Sequence, residues 1–380
     1  MKRFASILAI TSGILPIGRF AWAQATPPEP ATIAATAPTS LGQPATMETQ
    51  PPTRASHAIG YSVYWENDGN VTKLNNPSDR HYTAGTAAAI QWQNPQTNAF
   101  VGAMPSLNGE FSKDAPGTSY GMGFIAALQL YTPDDISARA PIPDDRPYAG
   151  LAYGGLMVQR ANRAADVPVF EHFELDLGTI GPTSQANKLQ DWVHRRFGKI
   201  VANGWNNEIK DDFGGDLKYL RRWRIDLSKP VDAGKPSMQL IPEAGITAGT
   251  MHINASAAVT LRYGWNMPDD FGPGRMRYAS DFTRPFTHDS PFGHLGGYVF
   301  VRPGGRAVAH DSTLEGSYFR TSEVEVTQTP LVAEIQAGVA IQFAKHFEVS
   351  YAQTYTSPEF SGQSMWDSYG TLLVTMVYAW

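Results

Sequence analysis

The chain has 380 residues, no cysteine, 17% charged residues and a formal net charge of -5. Without cysteine it can form neither a disulfide framework nor a thiolate zinc site. A mild negative charge supplies no basic field for nucleic acid.

The N-terminus reads as a secretory signal peptide over residues 1–23. "MKR" is a basic n-region, "FASILAITSGILPIG" a short apolar h-region, and Ala21 to Ala23 a small-x-small cleavage site. An uncleaved membrane anchor is the alternative, but the apolar run is too short for a comfortable span. Residues 24–57 are rich in Ala, Pro and Thr and cannot bury a core. They read as a flexible or polyproline-like tether. The folded domain is therefore expected over residues 58–380. It contains no apolar run of transmembrane-helix length, which leaves a β-barrel open.

Segments with strand character begin near Gly60, Tyr82, Tyr120, Leu151, Val169, Leu217, Met238, His252, Gly296, Leu331, His346 and Tyr369. That is roughly twelve, within the even range of bacterial outer-membrane barrels. The first strand ends in "YWENDGN". Asn and Asp there can simply end a strand and make a turn. Glu66, Asn67 and Asp68 also offer adjacent oxygens that suit a hard cation such as calcium. "SDRHYTAG" leads into the second strand, with Asp79 and Arg80 able to pair with each other or with neighbours and Thr83 entering the strand. "PDDRPYAG" precedes the fourth. Its Arg146 can pair with a carboxylate and orient the loop, or bind a phosphate.

"FEHFELDLG" sets Phe173, Leu175 and Leu177 against His172, Glu174 and Asp176. Such alternation suits a strand with lipid on one side and a polar lumen on the other. "GPTSQANKLQDWVHRRFGKIVANGW" then breaks the pattern with a helix over residues 184–200. Thr183 or Ser184 can cap it and Gly204 can stop the chain beyond it. Leu189, Trp192, Val193, Phe197 and Ile200 gather on one side, expected to dock. Gln190 and His194, four residues apart, share a face at the border of that side. A lone helical histidine is more often structural than catalytic, so spacing alone favours a rim hydrogen bond. "GWNNEI" follows with Asn206, Asn207 and Glu208.

"MPDDFGPGRMRYASDFTRPFTHDSPFG" reads as a long loop. "LVAEIQAGVAIQFA" has the clearest alternation, with apolar residues at every second position from Leu331 to Phe343. "HFEVSYAQTY" repeats it. The last strand sets Leu372, Val374, Met376, Tyr378 and Trp380 on one face and ends the chain on an aromatic residue. This looks like the C-terminal signal read by the barrel-assembly machinery. The serine-hydrolase elbow G-x-S-x-G and the zincin motif H-E-x-x-H are both absent from the sequence.

The ordered set "ENDGN", "DRHYTAG", "YTPDDI", "DDRPYAG", "LGTIGPTSQANKLQDWVH" and "NGW", spread over about residues 58–208, resembles the outer-membrane lipid A 3′-O-deacylase family. The resemblance implies a transmembrane antiparallel barrel of twelve strands, with a helix in an extracellular loop. It implies calcium-dependent hydrolysis of the ester that holds the 3′ acyloxyacyl group of lipid A in the outer leaflet. It makes His194 the base that activates water. Asn67 and Asp68 match the family's catalytic Asn-Asp pair, Thr83 a hydroxyl position counted with the catalytic residues, and Arg146 the Arg of the Asp-Arg-Pro-Tyr-Ala-Gly segment, a candidate substrate contact. Gln190 is expected to orient water or the His194 ring. Asp68 and Asn67 are the candidate calcium ligands, and Glu208 either joins them or is a solvated loop charge. A phospholipase would share the barrel and calcium but should show a Ser-His pair. A channel predicts an open polar lumen. A soluble periplasmic β-protein would not partition into outer membranes.

Overall fold

The computed structural model describes residues 57–69, 79–105, 110–111, 117–228, 235–276, 295–320, 324–344 and 346–379. The signal peptide, all but the last residue of the tether, and Trp380 lie outside them.

The strands are β1 (Ala58–Asn67), β2 (His81–Gln93), β3 (Thr118–Thr132), β4 (Ala149–Asn162), β5 (Val169–Ile180), β6 (Asp212–Trp223), β7 (Ile225–Ser228), β8 (Pro236–Gly249), β9 (His252–Trp265), β10 (Gly296–Asp311), β11 (Leu331–Phe343), β12 (Phe347–Thr356) and β13 (Asp367–Ala379). Each pairs antiparallel with its chain neighbour, except that β6 and β7 both pair with β8. These two are pieces of one barrel strand, broken at Arg224. Pairing of β1 with β13 and of β6 with β8 closes a barrel of twelve strands. Closure leaves no unpaired sheet edge in the hydrocarbon, where an unsatisfied backbone group is costly.

The period-two pattern has the sense expected of a lipid-facing barrel. Along β11, Leu331, Ile335, Val339, Ile341 and Phe343 are exposed, while Gln336 and Gln342 are buried in the lumen. On β5, Leu175 and Leu177 face out and His172, Glu174 and Asp176 face in. Inward charges are matched. Glu243 accepts from Arg222 at 3.0 Å and from Arg275 and Arg302 at 2.6 Å each. Lys218 reaches Glu174 at 2.7 Å and Asp176 at 2.6 Å. Such pairing is required, because a lone charge buried here would be strongly destabilising.

Two rims follow from the strand directions. One, the first rim, carries Ala58 and Ala379 at the outer ends of the first and last strands. The other, the second rim, carries Asn67, His81, Thr132, Ala149, Ile180 and Asp212. After β9, residues 266–276 start at the first rim and fold back into the lumen. Phe271 stacks on Phe170 with ring centroids 5.5 Å apart. Asp270 pairs with Arg262, Arg275 with Glu243, and Met276 Sδ lies 3.5 Å from Gln129 Nε2. Residues 277–294 are outside the described residues.

Among the described residues there are three α-helices: α1 (Pro95–Gly102), α2 (Ala186–Phe197) and α3 (Ser312–Glu315). The helix expected over 184–200 is α2, shorter at both ends. Pro182–Ser184 form a 3-10 turn, and Gln185 takes the cap position in the left-handed region, φ 61°. Ser184 Oγ still accepts the Ala186 N–H at 3.2 Å. Gly198, not Gly204, ends the helix, with φ 65° that a side chain would resist.

Candidate functional site

The site is built on the outer wall of the barrel at its second rim. On β1, Tyr61, Val63 and Trp65 are exposed to the lipid side, and Asn67 continues their alternation. On β3, Phe124 faces out, and Leu128, Leu130 and Thr132 follow at every second residue. A bulge between Tyr82 and Ala84 holds Thr83, whose hydroxyl meets Thr132 Oγ1 at 2.7 Å. Thus Asn67, Thr83 and Thr132 are rim residues of the outside wall, not of the lumen.

Helix α2 lies against that wall. Ala186 and Leu189 pack with Leu128 and Leu130 of β3 and with Tyr148, Ala202 and Trp205. Gly150 of β4 permits the approach, since a Cβ there would overlap Ser184 and Ala186. The docking face is Ala186, Gln190 and His194, at four-residue spacing. This corrects the expected orientation. Trp192, Phe197 and Ile200 are 64%, 68% and 68% exposed, whereas Gln190 and His194 are 3% exposed each. The polar edge of the helix meets the barrel and much of its apolar side lies open.

His194 is held at both ring nitrogens. Nδ1 donates to the Ile200 carbonyl, and Nε2 lies 3.0 Å from Asp79 Oδ2. The Asp79 hydrogen bond raises the imidazole pKa above its usual value; burial opposes this and the Ile200 carbonyl adds to it. Gln190 Oε1 accepts the Trp205 indole N–H at 2.7 Å. That leaves the Gln190 amide nitrogen buried without a hydrogen-bond partner among the described residues.

A second set of contacts ties the loop ends together. Thr132 Oγ1 donates to the Asp79 carbonyl at 3.2 Å. Thr83 O accepts from Asn67 Nδ2 at 3.2 Å and from the Asp68 N–H at 3.1 Å. Asp68 is 2% exposed, and its Oδ2 accepts the Arg80 N–H at 2.8 Å. Asn67 Oδ1 accepts the Gly69 N–H at 2.9 Å. A chain of contacts therefore runs from His194 through Asp79, Thr132 and Thr83 to Asn67 and Asp68. Sequence reasoning missed Asp79 and Thr132 as site residues. The "DRHYTAG" motif contains Asp79, but nothing in its spacing reveals that a helix so far along the chain folds onto it.

Two expected residues stand apart. Arg146 is buried, donating to Glu359 at 2.8 Å and Thr313 Oγ1 at 2.7 Å and lying 4.3 Å over the Tyr131 ring. Carboxylate pairing is the role this placement fits. Glu208 is buried, and among the described residues no hydrogen bond or ion pair joins it to Asp68 or Asn67. Burial, with Asp211 nearby, pushes its carboxyl up to about 8. Among the described residues no three His, Asp or Glu side chains form a metal-holding group. Asp68 and Asn67, consecutive at the end of β1, carry a carboxylate and an amide oxygen, hard donors of the type calcium takes alongside backbone carbonyls and water.

A family model, "Outer membrane protein LpxR", matches residues 28–378. The chain belongs to the LpxR family. The solved structure of LpxR from Salmonella typhimurium has the same fold, with TM-score 0.62 and 19% identity over 83% of this chain and 99% of that one. The β domain of the Bordetella autotransporter BrkA matches at TM-score 0.37 and 10% identity, over 86% of this chain and 100% of that one. No curated protein matches the chain. Membership of the LpxR family and the closed barrel place the protein in the bacterial outer membrane.

Proposed function

We propose that the protein is a lipid A 3′-O-deacylase, hydrolysing the ester that holds the 3′ acyloxyacyl group. The observation that carries this reading is the position of His194: a clamped imidazole in a seam between α2 and the lipid-facing wall, not in the lumen. An ester buried in a leaflet reaches such a seam sideways.

The chemistry follows from the contacts. Nδ1–H is committed to the Ile200 carbonyl, so Nε2 is the working nitrogen. It takes a proton from water as the water oxygen bonds to the ester carbonyl carbon. Asp79 faces that nitrogen, so the water enters between the two; the carboxylate pairs with the ring only once the imidazolium has formed, and so favours it. The free N–H groups of Gln190 are donors for the water or the carbonyl oxygen. As the carbon–oxygen ester bond breaks, the imidazolium returns its proton to the leaving sugar oxygen. The fatty acid and the 3′ hydroxyl are the products. Thr83 and Thr132 fix the Asp79 loop on the rim. Calcium, held by Asp68 and Asn67, would supply positive charge to the developing oxyanion. Glu208 has no part in this arrangement.

The lumen argues against a channel. Between the described strands it holds the Glu243–arginine cluster and the inward-folded residues 269–276. Among the described residues His194 also meets no serine, as a Ser-His phospholipase pair requires; its ring nitrogens face Asp79 and Ile200.

The test is mass spectrometry of lipid A from cells producing the protein, with and without a calcium chelator. Loss of the 3′ acyloxyacyl mass, blocked by the chelator and by His194→Ala, is the expected result. Unchanged lipid A from cells with correctly assembled wild-type barrel overturns the reading.

A further inference from the structure

The outward side of α2 has no protein partner among the described residues, although it carries the helix's largest apolar groups. Trp192 and Phe197 are each more than half exposed, as is Ile200 just beyond the helix's end. At 3.6 residues per turn, Leu189, Trp192 and Val193 lie to one side of the Gln190–His194 edge, and Lys188 and Arg195 to the other. Arg196, between Trp192 and Leu189 around the helix, and Lys199, just past the Gly198 terminator, are exposed as well. The only acid on the helix is Asp191, which lies 3.8 Å from Arg195. So α2 presents a polar edge on the barrel, an apolar flank that includes Arg196, and a basic flank, with Lys199 and Ile200 just beyond its end.

What covers this face is indicated by its surroundings. The helix sits on the outer wall, where Leu128 and Leu130 continue the stripe that includes exposed Phe124. Phe213 and Leu177, at neighbouring strand ends, are exposed as well. The apolar flank of α2 is thus continuous with the lipid-facing belt. An excess of lysine and arginine next to that belt matches the phosphates of a lipid leaflet, as in helices that lie in the membrane interface.

We propose that α2 is an interfacial anchor, docked on the phosphate-bearing outer leaflet. Trp192, Phe197 and Ile200 enter the acyl region, and Lys188, Arg195, Arg196 and Lys199 bind lipid phosphates. The proposal rests on the outer-membrane placement and not on the deacylase reading. It assigns to the leaflet a part in holding the lid of the His194 seam in place.

The absence of cysteine allows a single label at Trp192→Cys. Full-length barrel carrying a fluorophore there would be placed in discs of phosphatidylcholine alone, or with added phosphatidylglycerol, using acyl-brominated lipid as quencher. Labels at Leu175→Cys and Ala140→Cys mark the lipid face and the water side. The expected result is quenching at position 192 approaching that at 175, stronger in the anionic discs. Lys188→Glu, Arg195→Glu, Arg196→Glu and Lys199→Glu together should remove the difference between discs without changing the label at 175. The proposal is overturned by a label at 192 as unquenched as that at 140, or by quenching equal in the two discs. It is overturned too by shielding that depends on protein concentration and not on lipid, which would mean a second copy of the chain covers the face. None of these readings requires ester hydrolysis, so their failure is distinct from failure of the deacylase assignment.

Discussion

His194 Nε2 lies 3.0 Å from Asp79 Oδ2, across the boundary between α2 and the barrel rim. The contact joins a helix after β5 to a loop before β2, and it sets the pH at which the imidazole can work. A general base must be neutral. The Asp79 hydrogen bond raises the His194 pKa, so activity should climb with pH through a midpoint above the ordinary histidine value. His194→Ala should lower the rate of ester cleavage by about 10²–10⁴-fold while the barrel still inserts. Rates on purified lipid A across the acidic-to-neutral range measure both.

Asp79→Asn separates positioning from scaffolding. The amide keeps the size of the side chain and removes its charge. The acidic limb of the rate profile should move to lower pH, because the largest influence raising the His194 pKa is gone. The maximal rate should fall as well, since the imidazolium loses its counter-charge. A fall in rate with an unmoved limb would reduce Asp79 to a loop anchor.

The barrel was legible because its two surroundings differ so sharply. Lipid outside and charge inside impose strict period two, and all twelve expected strand starts lie near observed ones. The largest discrepancy, β6 beginning at Asp212 rather than near Leu217, has a local cause. Gly214 and Gly215 carry no side chains with which to display an alternation. The orientation of α2 was not legible for a different reason. A helical wheel assigns the apolar side to the protein interior on the assumption that water lies outside. Here lipid lies outside, and the polar edge with Gln190 and His194 is the one that packs. Asp79 and Thr132 were hidden because their role depends on where chain segments far apart in sequence meet.

Gly150 tests the seam itself. It lies on the outer wall of β4 directly beneath Ser184 and Ala186, where a methyl group has no room. Gly150→Ala should push the start of α2 off the wall, at about 1–3 kcal/mol of overpacking. Because β4 keeps its ladder to β3 and β5, the barrel should remain folded and heat-stable. Hydrolysis should drop through misplacement of His194 and Gln190, and limited proteolysis should cut the 181–205 region faster than in the wild type. Unchanged activity would show that the site does not depend on this approach.

Glu208 gives a test by stability. Burial raises its pKa from 4.5 to about 8, with Asp211 adding to the effect, and its Oε2 has no hydrogen-bond partner among the described residues. The folded state therefore favours the protonated acid. Its contribution to stability is fully present below the unfolded pKa of about 4.5 and is lost as pH rises through about 8. Glu208→Gln removes the ionisation but keeps the shape. The variant should match the wild type in denaturant resistance at low pH and exceed it increasingly as pH rises from about 4.5 to about 8. Its calcium requirement for hydrolysis should be unchanged, because Glu208 is not joined to Asp68 or Asn67. A higher calcium requirement in the variant would instead make Glu208 a metal ligand, brought to the pair by a rearrangement of the 204–211 loop.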